Sequence, residues 1–173
     1  LEGELNIEVM EKVFTEIVRR HESLRTTFTT NSEGLPIQVI PPSQPFKILR
    51  IDLKDIPNRD EELEKLATKE AQKSFDLTQP LLRITLLKLA ETEYVLLVTI
   101  HHIISDRWSL GIFVREMKFL YEAFLNKQNP GKESLSELPI QYADWAVWQQ
   151  QYLQGKVLQV QTDYWKKQLA NLP

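Results

Sequence analysis

Residues 94–109 read Tyr-Val-Leu-Leu-Val-Thr-Ile-His-His-Ile-Ile-Ser-Asp-Arg-Trp-Ser. The apolar, β-branched part of this stretch ends at Ile100 and predicts a buried strand. Asp106 lies three residues before a serine, the spacing at which an aspartate caps a helix, so we expect a helix from about that serine onward. His101 and His102 therefore lie where a strand gives way to a polar turn. A histidine at such a position is well placed to act as a general base near neutral pH.

The rest of the chain predicts further strands and helices around this stretch. Leu82–Leu89 is a second apolar run, joined by four residues to Tyr94–Ile100, and together they predict a hairpin buried largely on both faces. Hydrophobic spacing and turn residues predict other strands at 24–30, 36–40 and 46–51, and helices at 6–21, 58–74, 109–125, 140–153 and 156–169, with a helix stop at 129–131. The sequence thus predicts an α/β domain in which helices flank a mixed sheet.

Composition narrows the classes of function. The 173 residues are 42% hydrophobic and 26% charged with a net charge of −3, which is ordinary for a soluble domain and favours neither nucleic acid nor membrane partners. The chain has no cysteine, which excludes disulfides, thiolate metal sites and cysteine nucleophiles. No apolar run is long enough to span a bilayer. We expect a cytoplasmic protein, and a first residue other than methionine suggests a piece of a longer chain.

The two histidines cannot act as a pair. Neighbouring residues of a strand point to opposite faces, so only one of His101 and His102 can face a given cleft, and the two do not form a metal site. From the residues alone, either one is a base and the other structural, or both are hydrogen-bonded at a strand end. Asp106 can cap the following helix, balance the charge of an arginine, or do both.

Two other segments stand out. Residues 20–28 read as a basic helix end followed by a strand, and Arg25 is placed to meet a buried carboxylate. In residues 142–149, Trp145 and Trp148 share a helix face, which favours packing in the core. Trp165 is interpreted in the same way. Composition and periodicity alone indicate an α/β domain with a candidate histidine base.

Together, three segments resemble the condensation domains of nonribosomal peptide synthetases. Residues 101–109 resemble the His-His-x-x-x-Asp-Gly signature of that family with its Trp-Ser continuation. Residues 20–28 resemble its Arg-His-Glu-x-Leu-Arg-Thr-x-Phe signature, and residues 142–149 its Tyr-x-Asp-Tyr/Phe-Ala-x-Trp-Gln signature. The three occur in the family's order and spacing, and the resemblance covers essentially the whole chain.

The resemblance implies an architecture and a set of partners. Such a domain is a pseudo-dimer of two chloramphenicol-acetyltransferase-like lobes, and residues 1–173 resemble the N-terminal lobe without its opening signature. The C-terminal lobe is absent from this sequence, so we expect the polypeptide alone to be inactive or nearly so. The implied partners are donor and acceptor peptidyl carrier proteins, the missing C-terminal lobe and an adjacent adenylation domain. No metal or bound cofactor is implied, because the substrates travel on the phosphopantetheine of the carriers.

The resemblance also implies a role for each signature residue. His102 would be the active-site histidine, and His101 would support it. Asp106 would be structural, salt-bridged to Arg20 or Arg25, between which the sequence does not choose.

The residues after the aspartate include a departure from the family. The family usually has a glycine here, which lets the backbone lie close to the reaction centre. In this sequence Arg107 takes its place. The arginine is expected to gate a substrate, shape selectivity or disable the site. Trp108 and Ser109 continue the family pattern as supporting residues.

The implied reaction is aminolysis of a thioester, which joins a donor acyl group to an acceptor amine. Epimerisation domains and simpler acyltransferases of the superfamily carry the same His-x-x-x-Asp, and a degenerate domain that only binds carriers is a further alternative. Heterocyclisation domains have aspartate in place of the histidines, which argues against that class. Trp108-Ser109 and Trp148-Gln149 favour condensation.

Overall fold

The computed structural model describes residues 1–127 and 135–171 of the chain. It divides into two compact units, Leu1–Glu137 and Leu138–Pro173. The helix stop predicted at 129–131 lies outside the described residues. None of the described helices is long and apolar enough to cross a membrane.

The first unit contains most of the secondary structure. Its elements in chain order are helix α1 (Ile7–Arg20), a short 3₁₀ helix (Glu22–Arg25), β1 (Thr27–Thr30), β2 (Pro36–Val39), β3 (Leu49–Asp52), α2 (Arg59–Gln72), β4 (Leu82–Ala90), β5 (Glu93–Ile100) and α3 (Arg107–Leu125). β1 and β2 form an antiparallel pair, and the other strands form a sheet in the order β3-β4-β5. That sheet is mixed, because β3 runs parallel to β4 while β4 and β5 form the predicted antiparallel hairpin.

The alternation of side chains along β4 explains how the sheet is covered on both faces. Ile84 and Leu86 belong to a core cluster with the apolar faces of α1 and α3. Leu87 and Leu89 point the other way and form a second cluster with Leu53, against which residues of α2 pack. Burying each such aliphatic side chain contributes about 1.5–3 kcal/mol. The prediction of burial on both faces is therefore right for β4, whereas in β5 Tyr94 alone is buried and most other residues are half-buried.

Two predicted strands are wrong in their extent because local hydrogen bonds compete with the sheet. The segment 24–30 begins as the end of the 3₁₀ helix, where the Thr26 hydroxyl donates to the Glu22 carbonyl at 2.8 Å, and only 27–30 is strand. The strand expected at 46–51 begins later, at Leu49. The amide of Phe46 donates instead to a threonine hydroxyl of α1 at 2.9 Å, and that of Ile48 to a glutamate of α1.

An asparagine precedes both α1 and α2, but of these two only Asn6 caps its helix through its side chain. The Asn6 side chain accepts a hydrogen bond from the Val9 amide at 3.0 Å, as expected of a helix cap. Asn58 lies at the start of α2 but makes no such cap, and its amide donates to the Glu61 carboxylate at 3.1 Å.

The second unit consists of α4 (Tyr142–Tyr152) and α5 (Gly155–Gln168). Gly155 joins them with a φ of +51°, a left-handed conformation that glycine adopts without a steric penalty. The predicted core packing of Trp145, Trp148 and Trp165 is wrong, since these side chains are 39%, 53% and 55% exposed. Helical spacing aligns aromatic residues on a face, but it does not determine what covers that face.

Candidate active site

The turn after β5 fixes His101 through its backbone and its ring. Its amide donates to the Leu81 carbonyl at 3.0 Å, and its carbonyl accepts from the Ile104 amide at 3.1 Å. Its Nδ1 accepts a hydrogen bond from the Ile103 amide at 3.0 Å, so that nitrogen carries no proton in this arrangement. The ring also meets Phe75 edge to face, with 5.5 Å between centroids. These contacts suit a residue that supports the turn.

His102 lies next in the same turn, and its surroundings are different. Its side chain is exposed, and within residues 1–127 and 135–171 its ring makes no hydrogen bond or ion pair. The two histidines therefore differ, with the ring of His101 held and the ring of His102 open. An open imidazole can accept a proton or hold an amine.

Asp106 caps α3, as its spacing to Ser109 predicts. Its Oδ1 accepts from the Ser109 amide at 2.8 Å and from the Ser109 hydroxyl at 2.6 Å, and the serine hydroxyl accepts from the Asp106 amide at 3.4 Å. The hydrogen bonds from Ser109 hold the pKa of Asp106 below its usual value. The expected salt bridge to Arg20 or Arg25 is not formed in this structure, since Oδ1 of Asp106 bonds to Ser109 and the two arginines pair with glutamates.

Arg107 is the first residue of α3, and Trp108 follows it. Among the described residues other than glycine, only Lys127 and Asn171 have a positive φ, so position 107 has a backbone conformation that any residue adopts. The replacement of the family glycine by arginine thus introduces no backbone strain here. What it changes is bulk and charge beside the turn. Trp108 is 81% exposed, which places an uncovered indole on the same first helical turn.

Behind the turn lies a buried charge cluster of Arg20, His21 and Glu116. Glu116 is only 6% exposed, and its Oε2 lies 2.8 Å from Nε2 of His21 and 3.5 Å from Nε of Arg20. The guanidinium also donates to the carbonyls of Leu135 and Ser136, at 3.2 and 3.1 Å. Burial raises the pKa of Glu116, but the hydrogen bond and charge of His21 and the charge of Arg20 together hold it below its ordinary value.

Sequence reasoning missed Glu116, although a signal was present. Phe113, Glu116 and Leu120 are spaced three and four residues apart, so they share one face of α3. A carboxylate between two apolar residues on a buried stripe must find a partner, because an unpaired buried charge is costly. That pattern points to a buried cation elsewhere in the chain.

A small cavity joins two of the three signature segments. It has a volume of about 100 Å³ and lies between residues of the segment 20–28 on one side and residues of the turn and α3 on the other. Its lining residues are His21, Ser23, Leu24, Ile100, Ile104, Ser105, Ser109, Ile112 and Phe113. The third segment, 142–149, belongs to the second unit. No described group of His, Asp and Glu residues is arranged to hold a metal ion.

A mixed sheet flanked by helices, with a His-His-x-x-x-Asp turn between a strand and a helix, is the fold of the chloramphenicol-acetyltransferase-like class. The chain belongs to the condensation domain family, since the family model described as "Condensation domain" matches residues 1–173. Among its relatives, a linear gramicidin synthase protein of Brevibacillus parabrevis is 48% identical over 171 residues, which are 97% of this chain and 3% of that protein. The chain therefore spans only a small part of its curated relatives.

Solved structures share the fold. The X-domain from teicoplanin biosynthesis superposes with a TM-score of 0.86 at 29% identity, over all of this chain and 38% of that one. The epimerization domain from the third module of a tyrocidine synthetase superposes with a TM-score of 0.84 at 24% identity, over 99% of this chain and 38% of that one. Domains of different names thus have this fold, and the fold alone does not separate their activities.

Proposed function

We propose that the chain is the N-terminal lobe of a domain that forms peptide bonds between thioesters tethered to carrier proteins. The observation that carries this proposal is the contrast within the turn after β5. His101 is held by the Ile103 amide and by Phe75, while the exposed ring of His102 has both nitrogens open. A turn held by hydrogen bonds, with one open imidazole, is what a positioned base or amine-binding group requires.

The chemistry follows from an activated substrate. The acceptor α-amine attacks the carbonyl carbon of the donor thioester, a C–N bond forms and the C–S bond breaks. The amine loses a proton and the departing thiolate of the donor carrier gains one. His102 accepts the proton from the amine, or it holds the amine and steadies the tetrahedral intermediate. General base catalysis of this kind is worth about 100- to 10,000-fold.

The partners and cofactor follow from the same proposal. The donor and acceptor arrive on the phosphopantetheine arms of two peptidyl carrier proteins. An adjacent adenylation domain belongs to the same cytoplasmic synthetase. The lobe itself holds no cofactor. A C-terminal lobe completes the cleft in front of His102, so residues 1–173 alone have little or no activity.

Arg107 favours a second candidate, a domain that binds carriers without catalysis. Its side chain adds a permanent positive charge and bulk beside the turn, five residues after His102. In that case, replacing Arg107 by glycine in the full-length synthetase would restore turnover to an inactive protein. If wild type is active and the variant has unchanged kinetics for every substrate pair, Arg107 neither gates nor disables the site.

The test uses a full-length synthetase that contains this sequence, with donor and acceptor carriers loaded separately. Mass spectrometry follows the acceptor carrier for the mass of the condensed product, and chiral analysis follows the donor. Formation of the dipeptidyl product supports condensation. Inversion of the donor without product would instead indicate epimerisation, and carrier binding without either change would support the non-catalytic candidate.

A further inference from the structure

We propose that His21 is a positioning residue for the turn that carries His102, acting through Glu116 and the start of α3. This inference rests on the proposed function and adds to it a residue outside the His-His-x-x-x-Asp segment. His21 follows the last residue of α1, and the turn directly precedes α3. The histidine therefore connects two elements whose relative placement determines where the turn lies.

The first connection is a hydrogen bond into α3. An ionised carboxylate only accepts hydrogen bonds, so Nε2–H of His21 donates to Oε2 of Glu116 across 2.8 Å. Such charge-assisted bonds are shorter and about twice as strong as neutral ones. Glu116 cannot shift freely, because it is buried and also lies 3.5 Å from Nε of Arg20. The bond thus ties the end of α1 to a fixed point on α3.

The second connection is through the cavity of about 100 Å³. His21 lines it on one side, while Ile104, Ser105 and Ser109 line it on the side of the turn and the helix cap. Ile104 and Ser105 lie between His102 and Asp106 in sequence, and Ser109 is the capping partner of Asp106. His21 therefore forms part of the wall that faces the turn across this cavity, so a change at position 21 alters the space into which the turn can move.

A pair of substitutions separates the hydrogen bond from the filling of space. In His21→Gln the side-chain amide nitrogen can still donate to Glu116, whereas in His21→Leu the space is filled but no donor remains. Both variants are neutral, so the pairing of Arg20 with Glu116 is kept. Lys118→Gln provides a matched control, since Lys118 is an exposed residue of α3 away from this cluster.

The first readout is turnover by the full-length synthetase with loaded carriers. We expect His21→Leu to lower kcat about 10- to 100-fold with KM for the acceptor carrier unchanged, because displacement of a catalytic group by about 1 Å costs up to about 100-fold. His21→Gln is expected to recover most of this loss, and Lys118→Gln to behave as wild type. Equal losses in the glutamine and leucine variants, or no loss in either, would overturn the proposal.

The second readout does not need activity. The amides of Ile103 and Ile104 bond to His101 within the turn, so their hydrogen exchange reports how often the turn opens. We expect exchange of residues 102–106 to rise at least about fivefold in His21→Leu and to stay near wild type in His21→Gln. If exchange responds in this way while wild type forms no product, the proposed function fails and the positioning role stands. Unchanged exchange in the leucine variant refutes the positioning role.

Discussion

Replacing Glu116 by glutamine should destabilise the first unit strongly, because it leaves the guanidinium of Arg20 buried without its carboxylate. The side chains of Arg20 and Glu116 are 2% and 8% exposed and approach to 3.5 Å. At that distance, two unit charges attract by about 5 kcal/mol with an effective dielectric constant of 20. Removing one partner of a buried pair costs about 3–5 kcal/mol. Because Arg20 keeps its bonds to the carbonyls of Leu135 and Ser136, we expect about 3 kcal/mol.

Urea unfolding of residues 1–173, followed by far-ultraviolet circular dichroism, measures this loss as a change in the free energy of unfolding. Glu122→Gln is the matched control on the exposed face of α3 and should stay within about 0.5 kcal/mol of wild type. The double variant Arg20→Met, Glu116→Leu removes both charges together. Its loss in the free energy of unfolding should be smaller than the sum of the losses in Arg20→Met and Glu116→Leu measured singly. A loss below about 1 kcal/mol for Glu116→Gln, or strict additivity in the double variant, would refute the reasoning.

Three further predictions concern the cap, the core and acid stability. Ser109→Ala removes the hydroxyl bonds of the α3 cap and should cost about 1 kcal/mol in thermal denaturation, whereas Ser109→Thr should keep most of the stability. Phe14 is fully buried between two aromatic neighbours, so Phe14→Ala should cost about 3–5 kcal/mol in urea unfolding, and a loss under about 2 kcal/mol would contradict its central place in the core. The pKa values of Glu11 and Glu116 are lowered in the fold, so in acid the unfolded chain binds more protons than the folded chain. The urea midpoint should therefore fall as the pH drops below the ordinary glutamate pKa of about 4.3. Glu116→Gln should make that fall shallower, and an unchanged pH profile would show that this carboxylate is not responsible.

Elements with strong local patterns were predictable from sequence. The two apolar runs on either side of residues 90–93 gave the hairpin, and the spacing of Asp106 to Ser109 gave the start of α3, because both depend on residues close together in the chain. His101 and His102 were expected to differ because neighbouring strand residues point to opposite faces, but both lie beyond the end of β5, in the turn. Which of the two is open depended on the bond from the Ile103 amide to the ring of His101, which no sequence pattern specifies.

Long-range partners were not predictable in the same way. Asp106 was expected to pair with Arg20 or Arg25, but the carboxylate that Arg20 meets is Glu116, far along the chain, and packing of α1 on α3 brings them together. The predicted burial of the tryptophans was wrong for a related reason. Trp145 and Trp148 have the spacing of a core stripe, yet whether such a stripe is buried depends on what packs against it.

The most direct test of the central claim is the single-turnover rate of product formation in the full-length synthetase with saturating loaded carriers, for wild type and for His102→Ala. Circular dichroism and binding of both carriers should be the same in the two proteins, since the ring of His102 is exposed and, among the described residues, makes no hydrogen bond or ion pair that holds the fold. We predict a loss of about 100- to 10,000-fold in the variant. A rate within about twofold of wild type would contradict the account and would mean that His102 is not the group that acts on the amine.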